Sequence, residues 1–408
     1  MRVFLPRLTL AVSIALIGPT ASAAQESLTL EQALERARER SPSVLAARAR
    51  IEEARARLAG ASLLLRENPE LEAAAGGRSS AENDTEKVEV GILQNLDIGG
   101  RRSARISIAR AELVASAAES ENALRQALRS VAAAFFRALH AQERLNLADR
   151  AGAIATEILE IARRRHEAGD VSLLDVNLAQ AALSRARADE YAARSSVSAA
   201  FGDLRALLAL PPEQEVKLAG ELRLSRRYDL GDLLARATDR PDIRALRSEV
   251  EAASAEHRLG KALAWPEFGI GGRYEREEGD DRLLGAVRLT LPLFDRGQAV
   301  RAEARARTRR LELELEAALR DVRREIRTAF EVYTHEAAAA DELARNAVRL
   351  LEENESLSRE SYEAGQISLA ELLLVRREIL ETRTDYLSHL QDAAIAGANL
   401  EASAGVLP

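Results

Sequence analysis

The chain has 408 residues and a formal net charge of −7, with 30% charged and only 3% aromatic residues. So few aromatics supply little of the area that fills an ordinary enzyme core, and an excess of acid argues against nucleic acid as a partner. The sequence contains no cysteine, which excludes disulfides, thiol catalysis and thiolate metal sites.

Residues 1–23 read as an export signal. Arg2 and Arg7 precede the apolar stretch Leu8–Ile17, and Ala21-Ser22-Ala23 forms a small-residue cleavage site. Beyond it no stretch approaches the roughly 20 apolar residues that a membrane-crossing helix needs. A place in a membrane therefore requires strands closed into a barrel.

A first unit is expected over 24–210. A short helix at about 29–40 leads to a longer one entered at Ser41-Pro42, because proline suits the first helical turn, and stopped by Asn68-Pro69. Strands follow at about 69–77 and 87–97. A very long helix from about 101 to 168, on the order of 100 Å at 1.5 Å per residue, turns back at a tip spanning 166–176. Pro211-Pro212 opens a linker, 211–228. A second unit over 229–408 repeats the plan: a short helix at 229–239, a helix from Arg240-Pro241 to Trp265-Pro266, strands at about 267–277 and 283–293, a long helix, a tip at 362–372 and a returning helix.

The repetition is visible in the residues. His166-Glu167-Ala168-Gly169-Asp170-Val171-Ser172-Leu173 returns as Tyr362-Glu363-Ala364-Gly365-Gln366-Ile367-Ser368-Leu369, Leu96-Asp97-Ile98-Gly99 as Phe294-Asp295-Arg296-Gly297, Pro69-Glu70-Leu71 as Pro266-Glu267-Phe268, and Gly76-Gly77-Arg78 as Gly271-Gly272-Arg273. The matches keep one order and fall on turn-forming residues, which identifies a duplication rather than shared alanine richness.

In the strands, Val88, Val90 and Ile92 alternate with Glu89, Gly91 and Leu93, and Val287, Leu289, Leu291 and Leu293 with Ala286, Arg288, Thr290 and Pro292. Period two with one polar face suits a barrel with lipid outside and water inside, or a soluble hairpin with one exposed face. The smallest membrane barrels need about eight strands, so four per chain imply several chains. In the long helices, Ile106, Ala117, Leu128 and Leu139 are spaced by eleven, as are Leu311, Val322, Tyr333 and Ala344. An eleven-residue period keeps packed helices nearly straight or slightly right-handed.

Catalytic chemistry finds no footing. The five histidines, His140, His166, His257, His335 and His389, have no ligand spacing. No nucleotide loop, nucleophile–base set or cofactor motif is present, so neither a metal nor a cofactor site is expected. Arg163-Arg164-Arg165 and Arg309-Arg310 lie among glutamates and read as solvated helix faces.

Duplicated halves, paired strands and Gly-centred tips together resemble the TolC-like outer-membrane efflux proteins. Gln94-Asn95-Leu96-Asp97-Ile98-Gly99-Gly100-Arg101-Arg102, Leu291-Pro292-Leu293-Phe294-Asp295-Arg296-Gly297 and the opening Leu28-Thr29-Leu30-Glu31-Gln32-Ala33-Leu34 are similar to the CzcC-like heavy-metal and cation efflux branch. The resemblance implies a mainly α fold with a small β part: a homotrimer whose twelve strands form a transmembrane β-barrel, continuous with a periplasmic α-helical barrel. It implies an exit duct in the outer membrane of a Gram-negative bacterium, surrounded by outer-membrane lipid and working with a periplasmic adaptor and an inner-membrane pump. It also implies that Gly169, Asp170, Val171, Gly365, Gln366 and Ile367 at the tips contact the adaptor, and that Asp175, Glu371 and Tyr362 form the periplasmic gate. Where some relatives carry a second acid three residues after Glu371, this chain has Leu374. A different class, a periplasmic coiled-coil adaptor or scaffold, remains open at this point, although such proteins usually interrupt one β domain with a single hairpin.

Overall fold

The structure is a computed structural model describing residues 27–79, 84–223, 226–277 and 280–406; the expected export signal lies outside them. Helix α1, Leu30–Arg40, begins at a capping box in which Thr29 and Gln32 satisfy each other's backbone N–H groups. Helix α2 covers Pro42–Ala61. Strands β1, Glu70–Ser79, and β2, Asp84–Leu96, lead into α3, Arg101–Glu167. Its 67 residues extend about 100 Å. Helix α4, Leu173–Leu207, returns along it.

The second half follows as α5, Leu230–Arg236, a 3₁₀ turn over Ala237–Asp239, α6, Pro241–Ala262, and strands β3, Glu267–Glu277, and β4, Asp280–Thr290. The second long helix is not continuous as the sequence suggests. Helix α7, Gln298–Leu343, passes through a π-helical turn, Ala344–Val348, into α8, Arg349–Glu363, before α9, Leu369–Ser403, returns.

Two further boundaries differ from expectation. Helix α2 stops at Ala61, short of Pro69, and α6 at Ala262, with turns carrying the chain on to Trp265-Pro266. At these ends Arg102 donates to the carbonyls of Ser62 (2.7 Å) and Leu63 (3.3 Å), and Arg101 to those of Ala262 (3.4 Å) and Trp265 (2.9 Å). Strand β4 ends at Thr290, which leaves Leu291 and Leu293 in the connection to α7.

The four strands form one antiparallel sheet in the order β1-β2-β3-β4, and pairing of β2 with β3 joins the two repeats. The helices hang from one end of it. Apolar packing is divided along their length. At mid-length Leu128, Phe135 and Leu139 of α3 pack with Leu34 of α1 and Leu204 of α4, while Ile243, Val322, Ile326 and Leu400 form a second cluster among α6, α7 and α9. A third cluster joins the tips. None of the residues in the eleven-residue series is exposed, so the period marks the packed side of both helices.

Candidate functional site

The sheet is built inside out relative to a soluble protein. Register places Glu70, Glu72, Lys87, Glu89, Arg273, Glu275 and Arg288 on one face, and Leu71, Val88, Val90, Ile92, Ile270, Val287 and Leu289 on the other. The charged face is the sheltered one. The side chains of Glu275 and Glu89 are 14% and 24% exposed, and Leu93 among them is buried. On the apolar face Leu71, Val287 and Leu283 are 73%, 70% and 84% exposed.

Ion pairs cross that sheltered face. Arg288 on β4 reaches Glu70 (2.7 Å) and Glu72 (2.6 Å) on β1, and Arg273 on β3 lies 3.7 Å from Glu72 and 3.6 Å from Glu89. A side chain on the last strand meeting the first means that the sheet curls toward its charged side. Water-facing charge inside the curl and apolar side chains outside it are what a membrane barrel requires. Among the described residues no helix is long and apolar enough to cross a membrane.

At the far end of the helices both tips have one construction. Gly169 (φ 85°) and Gly365 (φ 72°) are left-handed, a conformation that glycine enters without steric cost. Asp170 N–H donates to the Arg165 carbonyl and Gly169 N–H to that of His166; Gln366 and Gly365 repeat this with Ser361 and Tyr362. These are Schellman closures. Each is followed by a capping box. The Ser172 hydroxyl and backbone N–H donate to the Asp175 carboxylate at 2.7 and 3.0 Å, and those of Ser368 to Glu371 at 2.8 and 2.7 Å.

Asp175 and Glu371 are thus held in helix-start caps at equivalent places. The Ser368 backbone N–H, then its hydroxyl, keep the Glu371 carboxyl below its ordinary range. Asp170 and Gln366 are exposed and Val171 is partly buried. Ile367 packs into the apolar cluster at the tips.

Tyr362 is only 1% exposed and packs among Ile158, Leu159, Ala162, Leu183 and Leu372. Arg165 of the first tip lies over its ring at 5.2 Å and donates to its carbonyl at 2.9 Å. The Tyr362 hydroxyl is buried without a hydrogen-bond partner among the described residues, and burial pushes its pKa up. Arg165 is the residue that sequence reasoning missed. It reads there as one of three consecutive solvated arginines, and its role depends on the two tips meeting. The five histidines do not gather, and the described residues hold no group of three or more histidine or acidic side chains placed to bind a metal.

A sheet that is wet within and apolar without, rooted on helical hairpins of this length, defines an outer-membrane channel subunit. The chain matches the family described as "Outer membrane efflux protein" over residues 33–210 and 234–406, and it belongs to that family. It is an outer-membrane efflux channel subunit that extends into the periplasm, and this decides against the soluble scaffold. It is 29% identical to Protein CyaE of Bordetella pertussis over 360 residues, 82% of this chain and 76% of that one. It is 24% identical over 425 residues to the cobalt-zinc-cadmium resistance protein CzcC of Cupriavidus metallidurans, with 98% of each chain covered. The solved outer membrane protein VceC of Vibrio cholerae shares the fold at a TM-score of 0.76 and 21% identity, over 92% of this chain and 96% of that one.

Proposed function

We propose that three copies of the chain close a twelve-stranded barrel and act as the passive exit duct of a tripartite efflux system. The inside-out sheet carries this reading. Its apolar face is unusable in water, and four strands fall short of the roughly eight that the smallest membrane barrel needs. Three copies supply twelve and turn the charged faces into one bore. The duct makes and breaks no bonds; the energy comes from an inner-membrane pump, joined through a periplasmic adaptor that engages Gly169, Asp170, Val171, Gly365, Gln366 and Ile367. Likeness to a protein named for cobalt, zinc and cadmium resistance supports metal cations as cargo.

The gate in this reading lies at the tips. Threefold symmetry makes a ring of three carboxylates from Glu371 and another from Asp175, and Tyr362 under Arg165 ties the second tip to the first. The cap hydrogen bonds favour the charged form of Glu371, so its ring attracts cations at neutral pH. Single-channel recording in planar bilayers tests this. Glu371→Gln lowers cation selectivity and weakens block by a trivalent cation, and adding Asp175→Asn deepens both losses. Unchanged selectivity and block in the double variant would leave these acids as helix caps only. A protein that stays monomeric and aqueous without detergent would falsify the duct.

A further inference from the structure

All four helix–strand connections lie at one end of the sheet: α2 to β1, β2 to α3, α6 to β3 and β4 to α7. They expose large apolar side chains at one level, with Leu64 72%, Trp265 58%, Leu293 62% and Phe294 92% exposed. This belt continues the outward apolar face at its helix-side edge.

The charges there are unbalanced in an unusual way for an acidic chain. The acids of the connections are already engaged. Asp97 is bound by Arg105, Glu267 by Arg101, Glu67 accepts from Asn95, and Asp295 accepts from Gly297 N–H. Three cations, Arg258, Lys261 and Arg296, are exposed and have no ion-pair partner among the described residues; a fourth, Arg66, lies near Asp97. Two of them, Arg258 and Lys261, line a recess with Trp265, floored by Gly99, Gly100 and Ser103.

We infer that this junction is a phospholipid site. Trp265 and the leucines enter the periplasm-facing leaflet of the outer membrane, and Arg258 and Lys261 take a headgroup phosphate in the recess beside the indole. The inference rests on the channel reading, because that reading makes the apolar face the lipid-facing one. The occupant follows from continuity and charge. The belt adjoins a lipid-facing surface, and unpaired cations just outside an apolar edge complement an anionic headgroup layer. An indole ring, apolar with one polar edge, favours that boundary. Leu63 to Leu65 and Phe294 extend the seat on either side. A second copy of the chain covering the belt is the competing occupant.

Trp265 is the only tryptophan, so the native protein carries its own depth probe. The full chain is reconstituted in vesicles of phosphatidylcholine with phosphatidylglycerol brominated either near the headgroup or deep in the acyl chains. Shallow bromine should quench Trp265 more than deep bromine. In detergent, phosphatidylglycerol should shift its emission at lower concentration than phosphatidylcholine does. The double variant Arg258→Gln, Lys261→Gln should bind phosphatidylglycerol roughly twenty-five-fold more weakly, at about fivefold per cation, with phosphatidylcholine binding unchanged. Stronger quenching by deep bromine, no quenching by either lipid, or wild-type phosphatidylglycerol affinity in the double variant overturns the site. Absence of quenching by both lipids and by aqueous acrylamide identifies a neighbouring copy as the cover. Bilayer conductance of the same preparations keeps the two readings apart: conducting channels with unquenched Trp265 refute the lipid site alone, and loss of conductance in the wild type refutes the duct.

Discussion

The two hairpins are repeats in sequence but not in mechanics. In the first, α3 runs unbroken over Arg101–Glu167 and buries twenty residues, many of them alanine, against its neighbours. In the second, α7 and α8 cover the same span but are split by the π turn at Ala344–Val348, which itself buries nothing. A π turn departs from the regular α hydrogen-bond ladder and is a common site of bending. Beyond it α8 is anchored at its end by Tyr362 in the tip cluster and along its length by charge. Glu355 binds Arg376 of α9 at 2.6 Å and Arg383 at 3.2 Å, and Arg359 lies 3.9 Å from Glu157 of α3. The first hairpin is therefore a spine and the end of the second an arm. Duplication supplied two equal elements, and burial made them different.

Apolar positions in the spine and in the arm give the sharpest test of that difference. Phe135 of α3 is 2% exposed in the mid-length cluster, whereas Leu357 of α8 is 57% exposed. Phe135→Ala should cost about 4 kcal/mol and Leu357→Ala less than about 0.5 kcal/mol, read as shifts in urea midpoint. Equal costs would erase the distinction between spine and arm.

The next largest effect isolates the arm. Glu355→Gln leaves Arg376, whose side chain is 11% exposed, without its charge partner, at about 3 kcal/mol. Hydrogen exchange should accelerate over residues 349–363 while 150–165 stay protected, and single-channel conductance should rise. Matched acceleration in both segments would mean that the hairpins open together.

The tips refine the comparison further. A Cβ on Gly365 meets Arg165 Nη2 at 3.5 Å, while one on Gly169 meets nothing within 4 Å. Both Gly169→Val and Gly365→Val should cost about 1–2 kcal/mol from backbone strain, and only the valine at 365 lies in contact range of Arg165. Thermal unfolding and export assays on the two single variants separate them.

The smallest effect depends on pH and belongs to the spine. Burial, with help from nearby Arg144, lowers His140 from 6.5 to about 4. The unfolded chain takes up this proton first, so stability falls as pH drops from about 6.5 toward 4. After discounting for part-exposure, the loss between pH 7 and 5 is about 1 kcal/mol. His140→Gln should flatten the urea midpoint across that window.

Much of the architecture was legible because it rests on local chemistry. Glycine at 169 and 365 and alternation in Val88–Ile92 each state their own geometry. The eleven-residue spacing marked the packed faces before any neighbour was known. What stayed hidden depends on contacts distant in sequence. Ala344-Arg345-Asn346-Ala347-Val348 is composed of residues that an ordinary helix accepts, so nothing local announces a π turn. The ends of α2 and α6 also receive hydrogen bonds from arginines far along the chain, and for α2 the proline at 69 lies beyond the observed end at Ala61. The acids at 175 and 371 were legible as residues at helix starts, but their engagement by Ser172 and Ser368 appears only in the folded tips.

The adjacent arginines at the root of α3 have a consequence for how force travels. Arg101 reaches the last carbonyl of α6 while Arg102 reaches the end of α2, so the start of one helix ties three helices together where the sheet begins. A displacement imposed at the tips, a lever length of about 100 Å away, is expected to arrive at this junction as a turn of the three tied helices rather than as shear between neighbouring strands.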